Sequence, residues 1–204
     1  MMTQEKILEN KKKILELLGK VKRDKMPKLI EWMCSNQCDF FVAPASTQFH
    51  LHVTGGLAQH SLNVYRALLR LSETFNMKLN EETMILTSIL HDFCKIGLYK
   101  LHILKSGKVS PAKPYAVEDL FPVGHGEKSV IMIQNWIDLT EQEVLMIRWH
   151  YGMFDRSFNQ YADKLWKVCP AAYMFFQADW MASLYYDDRE DDQTWEHATP
   201  VMDY

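Results

Sequence analysis

The sequence has no apolar run approaching the roughly 20 residues that a membrane-spanning helix needs, so we expect no membrane contact. The first residues are rich in lysine and glutamate and lack the apolar stretch of a signal peptide. Positive charge is not in excess, because the formal net charge is −3. Extended nucleic-acid binding through a general basic surface is therefore not expected. These absences together predict a soluble, cytoplasmic protein.

Cysteine is also scarce, with four residues and no CxxC pair. Cys34 and Cys38 are four positions apart, but no nearby histidine would complete a zinc site with them. We therefore expect reduced thiols, as is usual in a reducing compartment. The length of 204 residues and the hydrophobic fraction of 48% fit one domain with a substantial core.

Apolar residues recur at helical spacing through most of the chain, which predicts an all-α fold. One helix is expected from Met26 to Cys34, with Pro27 in its first turn. A long helix should follow Gly55 and continue to about Thr74. Asn80 is typical of a helix N-cap, and 140–143 match a capping box that starts another helix.

The helical pattern is interrupted by one inserted segment and ends before the C-terminal residues. Residues 98–123 combine extended segments with a Ser-Gly turn and prolines, which predicts a small β-hairpin inserted in the bundle. A single domain is expected over 1–186, with N-terminal helices at about 3–36 packed on a core of 39–186. Residues 187–204 are acidic and poor in apolar residues, so we predict a frayed C-terminal tail.

The strongest chemical signal is the pair His91–Asp92 at the end of the apolar run Met84–Leu90. Both side chains are costly to desolvate unless they bind something, and a metal ion would satisfy both. Further candidate ligands fall on separate predicted helices, so they could converge in the centre of a helical bundle. These candidates are His60, His125, His150 and Asp179.

Taken alone, each of these residues has a simpler interpretation. His60 would be a hydrogen-bonded core histidine, His125 a loop residue and His150 a member of an aromatic cluster. Asp179 lies in an apolar helix, where a carboxylate needs a cation or several donors. Mixed imidazole and carboxylate ligands suit Mn, Fe, Co, Ni or Zn better than Mg. The whole ligand order favours a hydrolase with two divalent metals per chain.

With these candidate ligands in this order, the sequence resembles the HD-domain metal-dependent phosphohydrolase superfamily. Four positions match the signature that names it, namely His60, His91, Asp92 and Asp179. Two more, His125 and His150, match the additional histidines of its two-metal branch. The resemblance covers about 39–187 and implies an HD-type helical bundle.

Two groups within the superfamily are similar in more detail. Gly55–His60 resembles the Gly-Gly-Leu-x-x-His segment of the HD domain in a bacterial 3′→5′ exoribonuclease family. The wider pattern is closer to small stand-alone HD hydrolases carried by phages and prophages. That pattern is carried by Asp39–Thr47, His91–Gly97, Gly124–Ser129 and Ile147–His150.

The resemblance implies roles for individual residues. A first metal would be held by His60, His91, Asp92 and Asp179, and a second by His125 and His150, with Asp92 bridging the two. Lys95 matches a lysine that faces the substrate phosphate, so Asp92 and Lys95 are the implied catalytic residues. Cys94 replaces the more usual glycine and is expected to pack. The implied reaction is hydrolysis of a phosphoester of a nucleotide, cyclic nucleotide or oligonucleotide by a metal-bridging hydroxide.

Other polar and aromatic side chains are candidate substrate contacts. Lys128 lies near a predicted helix N-terminus, where backbone N–H groups favour anions, and arginine can clamp a phosphate bidentately. The full set of candidates is Lys95, His50, Lys128, Arg148, Tyr151 and Arg156. For each, a solvated surface role is the alternative. The expected partner is a small phosphorylated or nucleotide substrate.

Two other functions stay open on the sequence. The first is a nucleotide-sensing regulatory HD module without turnover, which a degenerate ligand set would favour; no ligand is missing here. The second is a di-iron oxygenase on the same scaffold, since iron on such ligands can activate O₂. In an oxygenase, Lys95 would have no phosphate to bind. The choice between monoester and diester substrates and the oligomeric state also stay open.

Overall fold

The computed structural model describes residues 2–187, which are mostly helical with one small antiparallel hairpin. This confirms the predicted helical class and the predicted hairpin. Eight α-helices occur in these residues. They are α1 (Gln4–Leu18), α2 (Met26–Met33), α3 (Gly56–Thr74), α4 (Glu81–Leu90), α5 (His125–Gln134), α6 (Glu141–Arg148), α7 (Phe158–Val168) and α8 (Pro170–Met181).

The helix starts follow the capping residues of the sequence. The Asn80 side chain accepts a hydrogen bond from the Glu82 backbone N–H at the start of α4. At the start of α6, Thr140 and Glu143 form the predicted capping box, in which each side chain bonds the other residue's backbone N–H. These contacts satisfy amide groups that the first turn of a helix leaves without partners.

The core is organised around α3, which packs against α1, α4 and α8. Its first turn places Leu57 in an apolar cluster with residues of α1, α2 and α4. Its later turns place Val64 and Leu68 in a second cluster with residues of α7 and α8. The two ends of α3 therefore join two halves of the core, and His60 lies between them.

Two glycines allow backbone segments to approach closely near the candidate metal ligands. At Gly56 a Cβ atom would collide with the carbonyl oxygen of Leu51 in the preceding loop. At Gly126 it would collide with the carbonyl oxygen of Arg148, so the first turn of α5 lies directly on the end of α6. A side chain at Gly126 would push apart the segments that carry His125 and His150, and one at Gly56 would displace the start of α3, which carries His60.

The hairpin consists of β1 (Tyr99–Leu101) and β2 (Tyr115–Val117), paired antiparallel with Tyr99 opposite Val117. A further bridge joins Ile103 and Val109 nearer the tip. Among residues 2–187, no helix combines the length and apolar character needed to cross a membrane.

Two elements near the end of the chain differ from the sequence prediction. Helix α7 was not predicted, and only Phe158 and Leu165 of its residues are buried, so its apolar stripe is thin. Helix α8 continues through a π-helical turn, Ala182–Tyr186, and this turn leads to Asp187. Asp187 was assigned to the acidic tail, yet it is buried; the rest of that tail, 188–204, lies outside the described residues.

Glu143 ties α6 to the rest of the bundle. Its fully buried carboxylate accepts hydrogen bonds from the Arg23 guanidinium at 2.7 and 3.0 Å and from the Thr83 hydroxyl at 2.9 Å. It also accepts the Thr140 backbone N–H of the capping box at 2.8 Å. A single side chain therefore satisfies donors from three separate segments.

We predict that Glu143→Ala lowers the free energy of unfolding by about 3 kcal/mol, because it leaves a partly buried guanidinium and a helix N-terminus without their acceptor. Urea unfolding followed by circular dichroism measures the change. The control is Glu141→Ala, an exposed glutamate in the same first turn, which should cost less than about 1 kcal/mol. Equal losses in the two variants would contradict this account of Glu143.

Candidate metal centre

Six candidate ligands from five separate segments meet in the interior. His60 lies on α3, His91 and Asp92 follow the end of α4, and His125 begins α5. The last two are His150, two residues beyond α6, and Asp179 on α8. The contact of Gly126 with the end of α6 explains one of these approaches, since it brings the His125 and His150 rings to 5.0 Å between centroids.

One half of the cluster is formed around Asp179. Its Oδ1 atom lies 3.0 Å from His60 Nε2 and 3.7 Å from His91 Nε2. Potential ligand atoms of these three residues all lie within 4.8 Å of one another. This spacing allows the three side chains to hold one metal ion.

The other half of the cluster is formed around Asp92 Oδ1, which lies 2.8 Å from His125 Nε2 and 3.6 Å from His150 Nε2. The second oxygen, Oδ2, faces the first half, at 3.2 Å from His91 Nε2 and 3.7 Å from His60 Nε2. Asp92 therefore lies between the two halves with one carboxylate oxygen toward each.

The histidines share one orientation, with Nε2 toward the carboxylates. Two of them donate their Nδ1–H to a backbone carbonyl three residues earlier, His91 to Ser88 at 2.9 Å and His150 to Ile147 at 2.6 Å. His60 Nδ1 lies 2.8 Å from a carboxylate oxygen of Asp187. A hydrogen bond at Nδ1 fixes the tautomer whose Nε2 lone pair is available to a metal.

The ring nitrogen Nε2 of His91 is buried without a hydrogen-bond partner in the described part of the chain. His91 Nε2 is inaccessible to solvent and has no hydrogen bond within residues 2–187, because Asp92 Oδ2 lies near it without hydrogen-bond geometry. An unsatisfied polar atom at this depth is costly and uncommon. The donor set and this free nitrogen both fit a divalent transition metal.

The charge states also suit a cation. Burial alone would raise the pKa of Asp92, but the surrounding groups, led by the Lys95 ammonium, outweigh it and hold that pKa well below the usual range. Burial likewise opposes ionisation of Asp179, whose pKa is nevertheless lowered by the hydrogen bond and the charge of His60. Burial lowers the pKa of both His91 and His125. The centre therefore offers anionic carboxylates together with neutral imidazoles at His91 and His125.

His60 differs from the other histidines. Burial would lower its pKa, but the carboxylates of Asp187 and Asp179 more than compensate and raise it to about 10. The protonated ring balances part of the negative charge around it. Since a metal ligand must be deprotonated, a bound ion would take the place of the proton at Nε2.

Lys95 and Cys94 lie beside the cluster and contact Asp92 and His125, respectively. Lys95 Nζ lies 2.7 Å from Asp92 Oδ2, and this contact raises the lysine pKa against the opposing effect of burial. Cys94 Sγ lies 3.4 Å from His125 Nδ1 and belongs to a possible ligand group with Asp92 and His125. Burial raises the pKa of its thiol to about 12.

A cleft of about 490 Å³ opens beside the cluster. Four of the predicted substrate contacts line it: His50, Lys95, Lys128 and Tyr151. Lys128 is buried and pairs at 2.6 Å with Asp119, which follows the hairpin. Aromatic side chains also contribute to its wall, including Tyr99 and Phe49.

The two predicted arginine contacts are not among the residues that line this cleft. Arg148 pairs with Glu127 at 2.5 Å and with Asp155 at 2.7 Å, and its guanidinium lies 3.9 Å from the centre of the Trp149 ring. Arg156 is exposed in the segment before α7. Arg148 is thus occupied in joining α5 to the segment after α6.

Asp187 and Asp119 are two acidic residues of the site that sequence reasoning missed. Asp119 lies in the irregular part of the hairpin insertion, where no periodic pattern guides a prediction. For Asp187 a weak signal exists, because the apolar run Ala182–Tyr186 continues α8 up to it. Comparison of the chain with protein-family models, with curated proteins and with solved structures gives no match.

We predict that divalent metal stabilises the fold. At a free Mn²⁺ or Zn²⁺ concentration about 100-fold above Kd, binding to the native state adds about 2.7 kcal/mol. Thermal unfolding with and without metal measures the shift in Tm. Asp92→Ala should lose most of this shift, because both halves of the cluster use its carboxylate.

The matched control for this measurement is Asp163→Ala, which removes an exposed aspartate from α7 and should keep the full metal-dependent shift. Comparing shifts rather than Tm values separates metal binding from any direct effect of a substitution on stability. A full shift in Asp92→Ala would contradict the metal centre.

Proposed function

We propose that the protein is a metal-dependent phosphohydrolase of the HD-domain type that acts on a phosphoester of a nucleotide, cyclic nucleotide or oligonucleotide end. The observation that carries the proposal is the position of Asp92, with one carboxylate oxygen toward His60 and His91 and the other toward His125 and His150. A carboxylate placed between two sets of imidazoles is suited to bridge two ions.

When bound, two divalent ions would activate water as the nucleophile and neutralise charge on the reacting phosphoryl group. His60, His91, Asp92 and Asp179 would hold one ion, and His125 and His150 would hold the other with Asp92. The chain then needs no serine or cysteine nucleophile, which agrees with the raised pKa of the buried Cys94 thiol.

The cleft residues provide the groups that a phosphoester substrate requires. Lys95 and Lys128 are both buried residues that line the cleft, where a phosphate can accept charge-assisted hydrogen bonds from their ammonium groups. Tyr151 is half exposed, and its ring lies 5.1 Å from that of His125. An aromatic side chain beside the centre offers a surface for a nucleobase or another planar group.

Each lysine is already paired with a carboxylate, Lys95 with Asp92 and Lys128 with Asp119. A substrate phosphate would have to replace or share these partners, which favours anionic over neutral ligands. In an oxygenase the two lysines would have no substrate phosphate to bind. The complete ligand set also favours turnover over sensing alone.

The first experiment measures metal content and ester hydrolysis on the same protein, purified with Mn²⁺ supplied. We expect close to two metals per chain and cleavage of bis-p-nitrophenyl phosphate. Asp92→Ala should stay folded by circular dichroism and lose turnover, because it removes the ligand that both halves share. Cleavage of p-nitrophenyl phosphate alone would indicate a nucleotidase. Metal without turnover of either ester would contradict a phosphohydrolase.

Lys128→Ala tests the cleft separately. We expect KM to rise about tenfold, since a hydrogen bond to a charged group contributes about 1.5–3 kcal/mol, with bound metal unchanged. Steady-state kinetics on the ester that the wild type cleaves gives the value. Lys164→Ala, on the exposed face of α7, serves as the control; an equal KM in both variants would argue against phosphate binding by Lys128.

A further inference from the structure

Asp187 is the last described residue, and its buried carboxylate accepts three hydrogen bonds. Oδ2 lies 2.6 Å from His50 Nδ1 and 2.8 Å from His60 Nδ1, while Oδ1 accepts from Asn63 Nδ2 at 2.7 Å. The side chain has no exposed surface. A carboxylate removed from water in this way is stabilised only while its donors stay in place.

The orientation of the Asn63 amide is fixed by a series of side-chain hydrogen bonds that begins on α1. Asn10 Nδ2 donates to Gln59 Oε1 at 2.9 Å, and Gln59 Nε2 donates to Asn63 Oδ1 at 2.9 Å. Asn63 then has its N–H group directed at Asp187. Each amide donates toward the carboxylate, which is the acceptor at the end of the series.

His60 depends on Asp187 in a way that the neighbouring ligands do not. The Nδ1 atoms of His91 and His150 are held by carbonyl groups three residues earlier in their own segments. His60 Nδ1 is held by a carboxylate 127 positions away. Such a partner fixes the imidazole tautomer and ring orientation and raises the basicity of the ligating nitrogen.

We propose that Asp187 is a positioning residue that aims His60 at the metal centre and holds His50 against the wall of the cleft. The inference rests on the proposed function, because it assigns Asp187 to the support of the same site. Asp187, directly after the π-helical turn, would then support the metal centre through His60. The end of α8 would then influence both metal affinity and the cleft.

The alternative role for these residues is a third ion site, because potential ligand atoms of His50, His60 and Asp187 lie within 4.8 Å of one another. His60 Nδ1 faces Asp187 while its Nε2 faces Asp179 in the metal centre, and a neutral imidazole has one lone pair, so it can bind only one ion. The remaining partner, Asn63, presents an N–H group to the carboxylate, and an N–H group cannot bind a cation. The contacts therefore favour positioning over metal binding.

Asp187→Asn tests the proposal with the shape of the side chain kept. Asparagine has one acceptor oxygen and an NH₂ group, so at least one of the three donors loses its acceptor. We expect metal affinity, measured by competition with a chelating dye, to fall about 10- to 100-fold. The stoichiometry at saturation should not change. The visible spectrum of the Co²⁺-substituted protein should shift as His60 reorients.

The matched control is Glu143→Gln, which alters another fully buried carboxylate with several donors at the far end of α6. It should lower Tm but leave metal affinity and the Co²⁺ spectrum as in the wild type. Asn63→Ala is the second variant should Asp187→Asn fail to fold, and a smaller weakening of metal affinity is expected for it.

The outcomes separate the two proposals. Wild-type protein that binds no metal would overturn the proposed function. Wild-type protein that binds metal, with unchanged affinity and spectrum in Asp187→Asn or Asn63→Ala, would overturn the positioning role alone. Loss of one metal equivalent at saturation in Asp187→Asn would also overturn it, since Asp187 would then be a ligand.

Discussion

The carboxylate of Asp92 is the constraint on which the interior depends. It is buried, yet its neighbours hold it in the ionised form, so cationic or donor groups must surround it on every side. Lys95 meets one oxygen at 2.7 Å and His125 meets the other at 2.8 Å. The contact with His125 joins the start of α5 to the segment that follows α4.

Charge balance connects the centre to its surroundings. Three aspartates, Asp92, Asp179 and Asp187, converge on His60 and its neighbours, while Lys95 supplies a buried positive charge. A bound cation would stabilise this arrangement further and would leave Lys95 more available to a substrate. Metal binding and substrate binding are therefore coupled through the shared partner Asp92 in the account proposed here.

The sequence predicted features that local physics controls. The caps at Asn80 and Thr140 were predictable because their side chains satisfy nearby amide groups. His91–Asp92 was predictable as a candidate ligand pair because two polar residues follow an apolar run. The role of Asp187 was not predicted, because its partner His60 is 127 positions away and the acidic residues that follow it in the sequence are typical of a solvated tail. Arg148 looked like a phosphate ligand, but Glu127 and Asp155 hold it, and such pairing has no local sequence signal.

Anomalous scattering from a crystal grown with Mn²⁺ tests most directly whether the Asp92 cluster binds two metal ions. We predict two peaks about 3.5–4 Å apart, one near Asp179 and His60 and the other near His125 and His150, with Asp92 between them. A single peak, no peak, or a peak enclosed by His50, His60 and Asp187 would contradict the account.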